Sequence, residues 1–207
     1  MRPEDILASG IQQLGFVVEA EEQQKMMKYL GLLQKWNRVY NLTAIDKTEL
    51  MVSHHLLDSL AVLPHLMAGR WLDVGSGAGL PGLVLALMRP DWEFELLDSN
   101  SKKCSFVQQA AIELNIKNIQ VTCARVQDWK KAKKFDGIIS RAFAELEKFV
   151  VLTHHLLMPG GIWVAMKGMP SNQELQQLPA GIVLKRIISL QVPGVDGERC
   201  LVILEEI

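Results

Sequence analysis

"RWLDVGSGAGLPGLVLALM", residues 70–88, sets three glycines on alternate positions between two apolar runs, with an acid just before the first. The first run reads as a short strand, "WLDV" at 71–74, and the second as a helix near 80–88. Between them Gly75, Gly77 and Gly79 form a turn. Without Cβ atoms, glycines let the main chain approach a ligand closely and adopt positive φ. The helix that follows presents free amides to an electron-rich group. In open α/β sheets, ligands bind at the carboxyl ends of the strands, which is where this turn lies.

Two ligands compete for such a turn. "GAGLPG", Gly77 to Gly82, matches the G-x-G-x-x-G dinucleotide fingerprint. That match is out of register, because Gly75 and not Gly77 leaves the strand. Read from Gly75, the pattern is Asp73-x-Gly75-x-Gly77-x-Gly79. It resembles the glycine-rich turn of S-adenosylmethionine-dependent methyltransferases. In that reading Asp73 meets the ammonium of the cofactor's amino-acid part, directly or through water. Register favours the methyl donor over the dinucleotide.

Outward from the turn, the chain divides. Residues 1–68 read as helical, with apolar stripes on Ile6, Leu7, Ile11 and Leu14, on Met26, Leu30, Leu33 and Trp36, and on Leu56, Leu57, Leu60, Leu63 and Leu66. "YNLTAIDKTE" interrupts the stripes, with Asp46 as the expected N-cap of the third helix and Glu49 at the capping-box position. From residue 69 to 207, strands and helices alternate. Strands are expected at 71–74, 94–98, 119–123, 135–140 and 162–167, and helices at 80–88, 101–115 and 145–157. Two further β-rich stretches, 182–192 and 199–205, flank "PGVDGE" and read as an antiparallel hairpin. The expected architecture is a helical N-terminal segment packed on an α/β domain.

Composition narrows the classes. No apolar run approaches the about 20 residues a membrane helix needs, and "MRPEDILASG" carries acids where a secretion signal is basic. A cytoplasmic protein is expected. Cys104, Cys123 and Cys200 are far apart in sequence with no C-x-x-C, so reduced thiols are expected and neither disulfides nor metal ligands. The adjacent pairs His54–His55 and His154–His155 point about 100° apart on a helix and do not suit one metal ion. His55 and Asp58 share a helix face and are expected to pair. The net charge of −1 is unusual for a free-standing nucleic-acid binder, so any RNA contact must use a local basic patch.

Strand ends supply the remaining candidates. Asp98 ends the second strand and suits ribose hydroxyls. After the third strand, Val126 is placed to cover an adenine face and Gln127 or Asp128 to accept from its exocyclic amine. Arg141 ends the fourth strand beside the expected reaction centre. Asn37, Asn41 and Thr43 serve either as backbone caps or as a substrate lip.

Together, "LQKWNRVYNLTAI", "HHLLDSL", "WLDVGSGAGLPGLVLA", "LLDSNSKKCSF", "FDGIISRAFA", "AMKG" and "VPGVDGERCLVI" resemble the ribosomal small-subunit methyltransferase G family, once called glucose-inhibited division protein B. The resemblance runs in order from near residue 30 to the end. It implies an α/β, Rossmann-like class I methyltransferase fold, a mostly parallel seven-stranded sheet with an antiparallel last strand. It further implies a bacterial cytoplasmic enzyme that moves methyl from S-adenosylmethionine to N-7 of a guanine in the decoding-centre loop of 16S rRNA. By the same resemblance, Gly75, Leu80, Val126 with Gln127, and Arg141 hold the cofactor. Many relatives carry an acid where Gln127 stands.

Guanine N-7 has a free lone pair and no proton at neutral pH, so no general base is expected, only positioning by Arg141. Asn37, Asn41, Lys167 and Arg199 are the candidate RNA contacts, on a monomer acting within the small subunit. "WKKAKK", residues 129–134, reads as a solvated connector or a further RNA contact. Methylation of a protein or small molecule, and a non-enzymatic nucleotide-binding regulator, are the rival functions.

Overall fold

A computed structural model describes residues 1–141 and 145–207, so Ala142 to Ala144 of the "ISRAFA" block lie outside the described residues. Helix α1 spans Pro3–Gln13 and α2 Ala20–Tyr40. A third helical stretch runs as α3 (Thr48–Met51), a π-helical segment (Val52–Leu57) and α4 (Asp58–Leu60). Then follow β1 (Arg70–Val74), α5 (Gly82–Met88), β2 (Glu93–Asp98), α6 (Ser101–Glu113), β3 (Ile119–Cys123) and β4 (Phe135–Arg141). The chain closes with α7 (Leu146–Thr153), β5 (Leu157–Lys167), α8 (Asn172–Gln176), β6 (Ile182–Leu190) and β7 (Arg199–Glu206).

The strands form one seven-stranded sheet in the order β3-β2-β1-β4-β5-β7-β6. Only β7 runs against its neighbours, antiparallel to both β5 and β6. The chain reverses direction across the sheet between β1 and β4, which pair through Leu72 and Ile138. That switch point opens the crevice in which such sheets bind ligands.

Alternation along the strands explains the layers. Trp71, Leu96, Ile139, Val164 and Leu201 face one apolar cluster with α1, α2, α5 and α6. Leu72, Leu97, Ile138, Trp163 and Val202 face a second cluster with α7. Strand β1 is buried on both faces from Trp71 to Val74, Asp73 included. Met26, Leu30 and Leu33 of α2 are fully enclosed in the first cluster, each contributing about 1.5–3 kcal/mol.

Some expectations shift. Helix α5 starts at Gly82, two residues after Leu80, with Pro81 as its N-cap residue. Asp46 is not the N-cap of α3; that place falls to Lys47, with no side-chain cap. Asp46 Oδ1 instead accepts from Asn37 Nδ2 at 3.2 Å, while Asn37 Oδ1 accepts the Thr43 N–H at 2.8 Å. Asn37 thereby stitches the loop 41–47 to α2, and that bond displaces the local cap. By contrast α6 starts where expected, its first amides held by the Asn100 side chain. The three cysteines are free thiols, Cys104 and Cys200 buried and Cys123 exposed.

Gly137 on β4 tests the sheet packing. A Cβ there would lie 2.4 Å from Cζ3 of Trp71, a ring that is fully buried. Gly137→Ala should therefore lower stability by about 1–3 kcal/mol, read as a lower urea midpoint with an unchanged slope.

Candidate active site

The turn after β1 is a hydrogen-bonded cradle. Gly75, Gly77 and Gly79 all have positive φ, at 69°, 59° and 87°. A Cβ on Gly77 would meet nothing within 4 Å, so the main chain there faces open space. From β2, the Leu97 carbonyl accepts from Gly75 N–H at 2.8 Å and Ser76 N–H at 3.1 Å. Asp98 adds Oδ2 to Gly77 N–H at 2.9 Å and Oδ1 to Asn100 N–H at 2.8 Å. On the other side the buried Tyr29 hydroxyl donates to the Ala78 carbonyl at 2.9 Å.

Asp73 lies beneath the turn with no solvent exposure. Its Oδ2 accepts the Gly82 N–H at 2.8 Å, and Oδ1 is buried with no partner. Gly82 is required for this approach, because a Cβ there would sit 2.7 Å from Oδ2. Burial raises the Asp73 carboxyl to about 7, while the Gly82 bond and the Arg141 charge pull the other way.

Beside the cradle lies a cavity of about 400 Å³ lined by Gly75, Asp98, Val126 and Gln127 among others. Four of the predicted cofactor residues, drawn from β1, β2 and the segment after β3, thus share one wall. Val126 is buried and Gln127 exposed at the rim. Leu80 sits elsewhere: its side chain is 2% exposed in the first apolar cluster and its N–H donates to Ser76 O at 3.0 Å. S-adenosylmethionine fits the residues present. The unpartnered Asp73 Oδ1 suits an ammonium, the bare turn a carboxylate, Asp98 a ribose diol and Val126 an adenine face.

A second cavity, of about 480 Å³, gathers His54, His55, Asp58, Arg141, Lys167 and Arg199. Asp58, only 4% exposed, stands between two guanidiniums. Arg141 Nη1 reaches its Oδ2 at 3.3 Å, and Arg199 Nε reaches its Oδ1 at 3.5 Å. Arg141 Nη1 also donates to the His54 carbonyl at 2.8 Å, within the π-helical segment. Such segments recur at functional sites. Lys167 pairs with Glu174, which also accepts the Leu146 N–H.

The expected His55–Asp58 pair does not form. His55 Nε2 meets Thr43 Oγ1 at 3.0 Å, and burial followed by the Arg141 charge lowers its pKa to about 4. A neutral His55 has no charge to offer Asp58, and the guanidiniums win it. Asn37 and Asn41 line a third cleft, with Gln34, Arg38 and Thr43. Of the "WKKAKK" segment, Lys131 pairs with Glu95 and Lys133 with Glu93, which ties it to β2. Among the described residues no group of three or more His, Cys, Asp or Glu is arranged to hold a metal, and no helix is long and apolar enough to cross a membrane.

Sequence reasoning missed Tyr29 and the role of Asp58. Tyr29 carries no signal beyond its place in an apolar helix stripe. Asp58 does: an acid within "HHLLDSL" must face the core, and a buried acid needs a cationic partner.

Asp73 makes a pH prediction. Its folded pKa lies above the ordinary value of 3.8, so its contribution to stability is full below about pH 4 and is lost as pH rises through about 7. Asp73→Asn removes this loss. The variant's stability relative to the parent should climb between pH 4 and 7 and level off above, measured by urea denaturation across that range.

The comparisons with known proteins agree with this geometry. A family model described as rRNA small subunit methyltransferase G matches residues 22–202. A protein of Methylobacillus flagellatus named ribosomal RNA small subunit methyltransferase G is 51% identical, over 96% of each chain. One of the same name from Laribacter hongkongensis is 48% identical, over 98% of each. A SAM dependent methyltransferase from Aquifex aeolicus shares the fold, with a TM-score of 0.55 at 18% identity over 73% of this chain and 91% of that one. A family match over most of the chain, joined to the glycine cradle at the switch point, makes this protein a member of the rRNA small subunit methyltransferase G family.

Proposed function

We propose that this protein methylates N-7 of a guanine in the decoding-centre loop of 16S rRNA, acting as a cytoplasmic monomer on the small ribosomal subunit. The family's methyl donor is S-adenosylmethionine, which when bound supplies a methyl group activated by a sulfonium. Residues 69–207 serve as the catalytic domain, with residues 1–68 as a helical segment packed on it. One observation carries the reading: the cradle for the donor and a cation-lined cavity lie at the same sheet edge, with Arg141 between them. Arg141 faces Asp58 in the cavity and is close enough to Asp73 to lower its pKa.

The chemistry asks little proton transfer of the protein. N-7 attacks with a lone pair that carries no proton, so the chain needs no general base. His55, the buried imidazole nearest Arg141, is engaged by Thr43 and stays neutral. The work left is alignment and exclusion of water. A guanidinium cannot occupy N-7 during attack. Arg141 and Arg199 instead suit O-6 or a flanking phosphate, with Asp58 fixing both planes. Three cations against two carboxylates leave this cavity net positive although the chain carries −1 overall. A weakly charged protein with one focused patch suits a structured ribosomal target more than naked RNA. N-7 is hidden in the narrow major groove of an RNA helix, so the target base must be unstacked.

Transfer of labelled methyl to small subunits tests this reading, with mapping of the modified base. Gly75→Asp puts a carboxylate into the donor cavity and should abolish S-adenosylmethionine binding by calorimetry. Arg141→Ala should keep the donor bound but lower kcat by about 10- to 100-fold. Methyl transfer only to a protein or small molecule, or donor binding without any transfer, would instead establish one of the rival functions.

A further inference from the structure

The cleft at the end of α2 shares no lining residue with the cavity beside the glycine turn, yet it is built as a site. It measures about 630 Å³, within the range of small-ligand sites. Gln34, Asn37, Arg38 and Asn41 line it from one helix face, at spacings of three and four residues. Two of these side chains are spent on the wall. Gln34 Nε2 donates to Thr48 Oγ1 at 2.6 Å, and Asn37 holds Thr43 and Asp46. The other two, Arg38 and Asn41, are exposed and make no side-chain hydrogen bond or ion pair among the described residues.

Asn41 caps α2 in the left-handed conformation, φ 50° and ψ 55°. Its amide offers two donors and an acceptor, the complement of a base edge, and the Arg38 guanidinium suits a phosphate. The loop that walls this cleft also walls the Arg141 cavity: Thr43 and Ala44 face the first, Ile45 the second. Two extended residues span at most about 7 Å, so the two sites are separated by little more than one strand of backbone.

We propose that this cleft binds a nucleotide flanking the target guanine, with Asn41 reading the base edge and Arg38 holding its phosphate. The inference rests on the RNA reading given above and extends it: an unstacked strand crosses the 41–47 loop, its target base in the Arg141 cavity and a neighbour in the cleft. Single-stranded RNA is recognised in this way, by splayed bases and their edges.

Asn41→Gly deletes the amide while suiting the left-handed cap, so the fold is retained. Arg38→Gln deletes the charge at an exposed position. Each variant should raise KM for small subunits about tenfold, with kcat within twofold of the parent and unchanged calorimetric affinity for S-adenosylmethionine. For deproteinised 16S rRNA, Arg38→Gln should also flatten the slope of log affinity against log salt by about 0.7, the value of one single-strand phosphate contact. Unchanged KM in a parent that methylates small subunits overturns the cleft and leaves the methylation reading standing. A raised KM with an unchanged salt slope also overturns it, because it points to a ribosomal protein as the occupant. Loss of donor affinity would assign the cleft to the cofactor. A parent inactive on small subunits removes both readings together.

Discussion

The bond from Gly82 N–H to the buried Asp73 carboxylate fixes where the central strand stops and the next helix begins. The strand end and the start of α5 are both referenced to this one acceptor. Burying a carboxylate is costly, and here one oxygen is left without a partner in return for nothing the fold alone needs. An aliphatic side chain would avoid that cost but leave the Gly82 N–H without its acceptor.

A second acid, Asp58, joins the layers. It comes from the helical N-terminal part, while its partners Arg141 and Arg199 come from two strands of the sheet. The π-helical segment just before it supplies the His54 carbonyl to the same guanidinium. The N-terminal helices therefore do more than cover an apolar face. They set the direction of the cations at the mouth of the crevice, and the Asn37 bonds hold the loop that separates that mouth from the neighbouring cleft.

All seven strands are legible in the sequence as short β-rich runs with turn residues between them, whether buried like β4 or half-exposed like β3 and β6. Asp98, Gly75, Val126 and Gln127 are legible as neighbours for a related reason: each directly follows or ends a strand, and strand ends of one polarity meet at one edge. What is not legible depends on bonds between distant segments. Local pattern gives Asp46 a capping role and His55 an acidic partner. The structure gives Asp46 to Asn37 and His55 to Thr43, because side chains nine and twelve residues away offer better geometry than the near ones. Leu80 fits a motif by position, but its side chain answers to the core.

The reversed strand β7 has a bearing on how the site comes into being. Because it runs against β5, its first residue, Arg199, arrives at the edge where β4 and β5 finish with Arg141 and Lys167. The cation cavity is therefore closed by β7. Without β7, Asp58 would keep only one of its two guanidiniums. Pairing of β7 with β5 thus completes the charge balance at the mouth of the crevice.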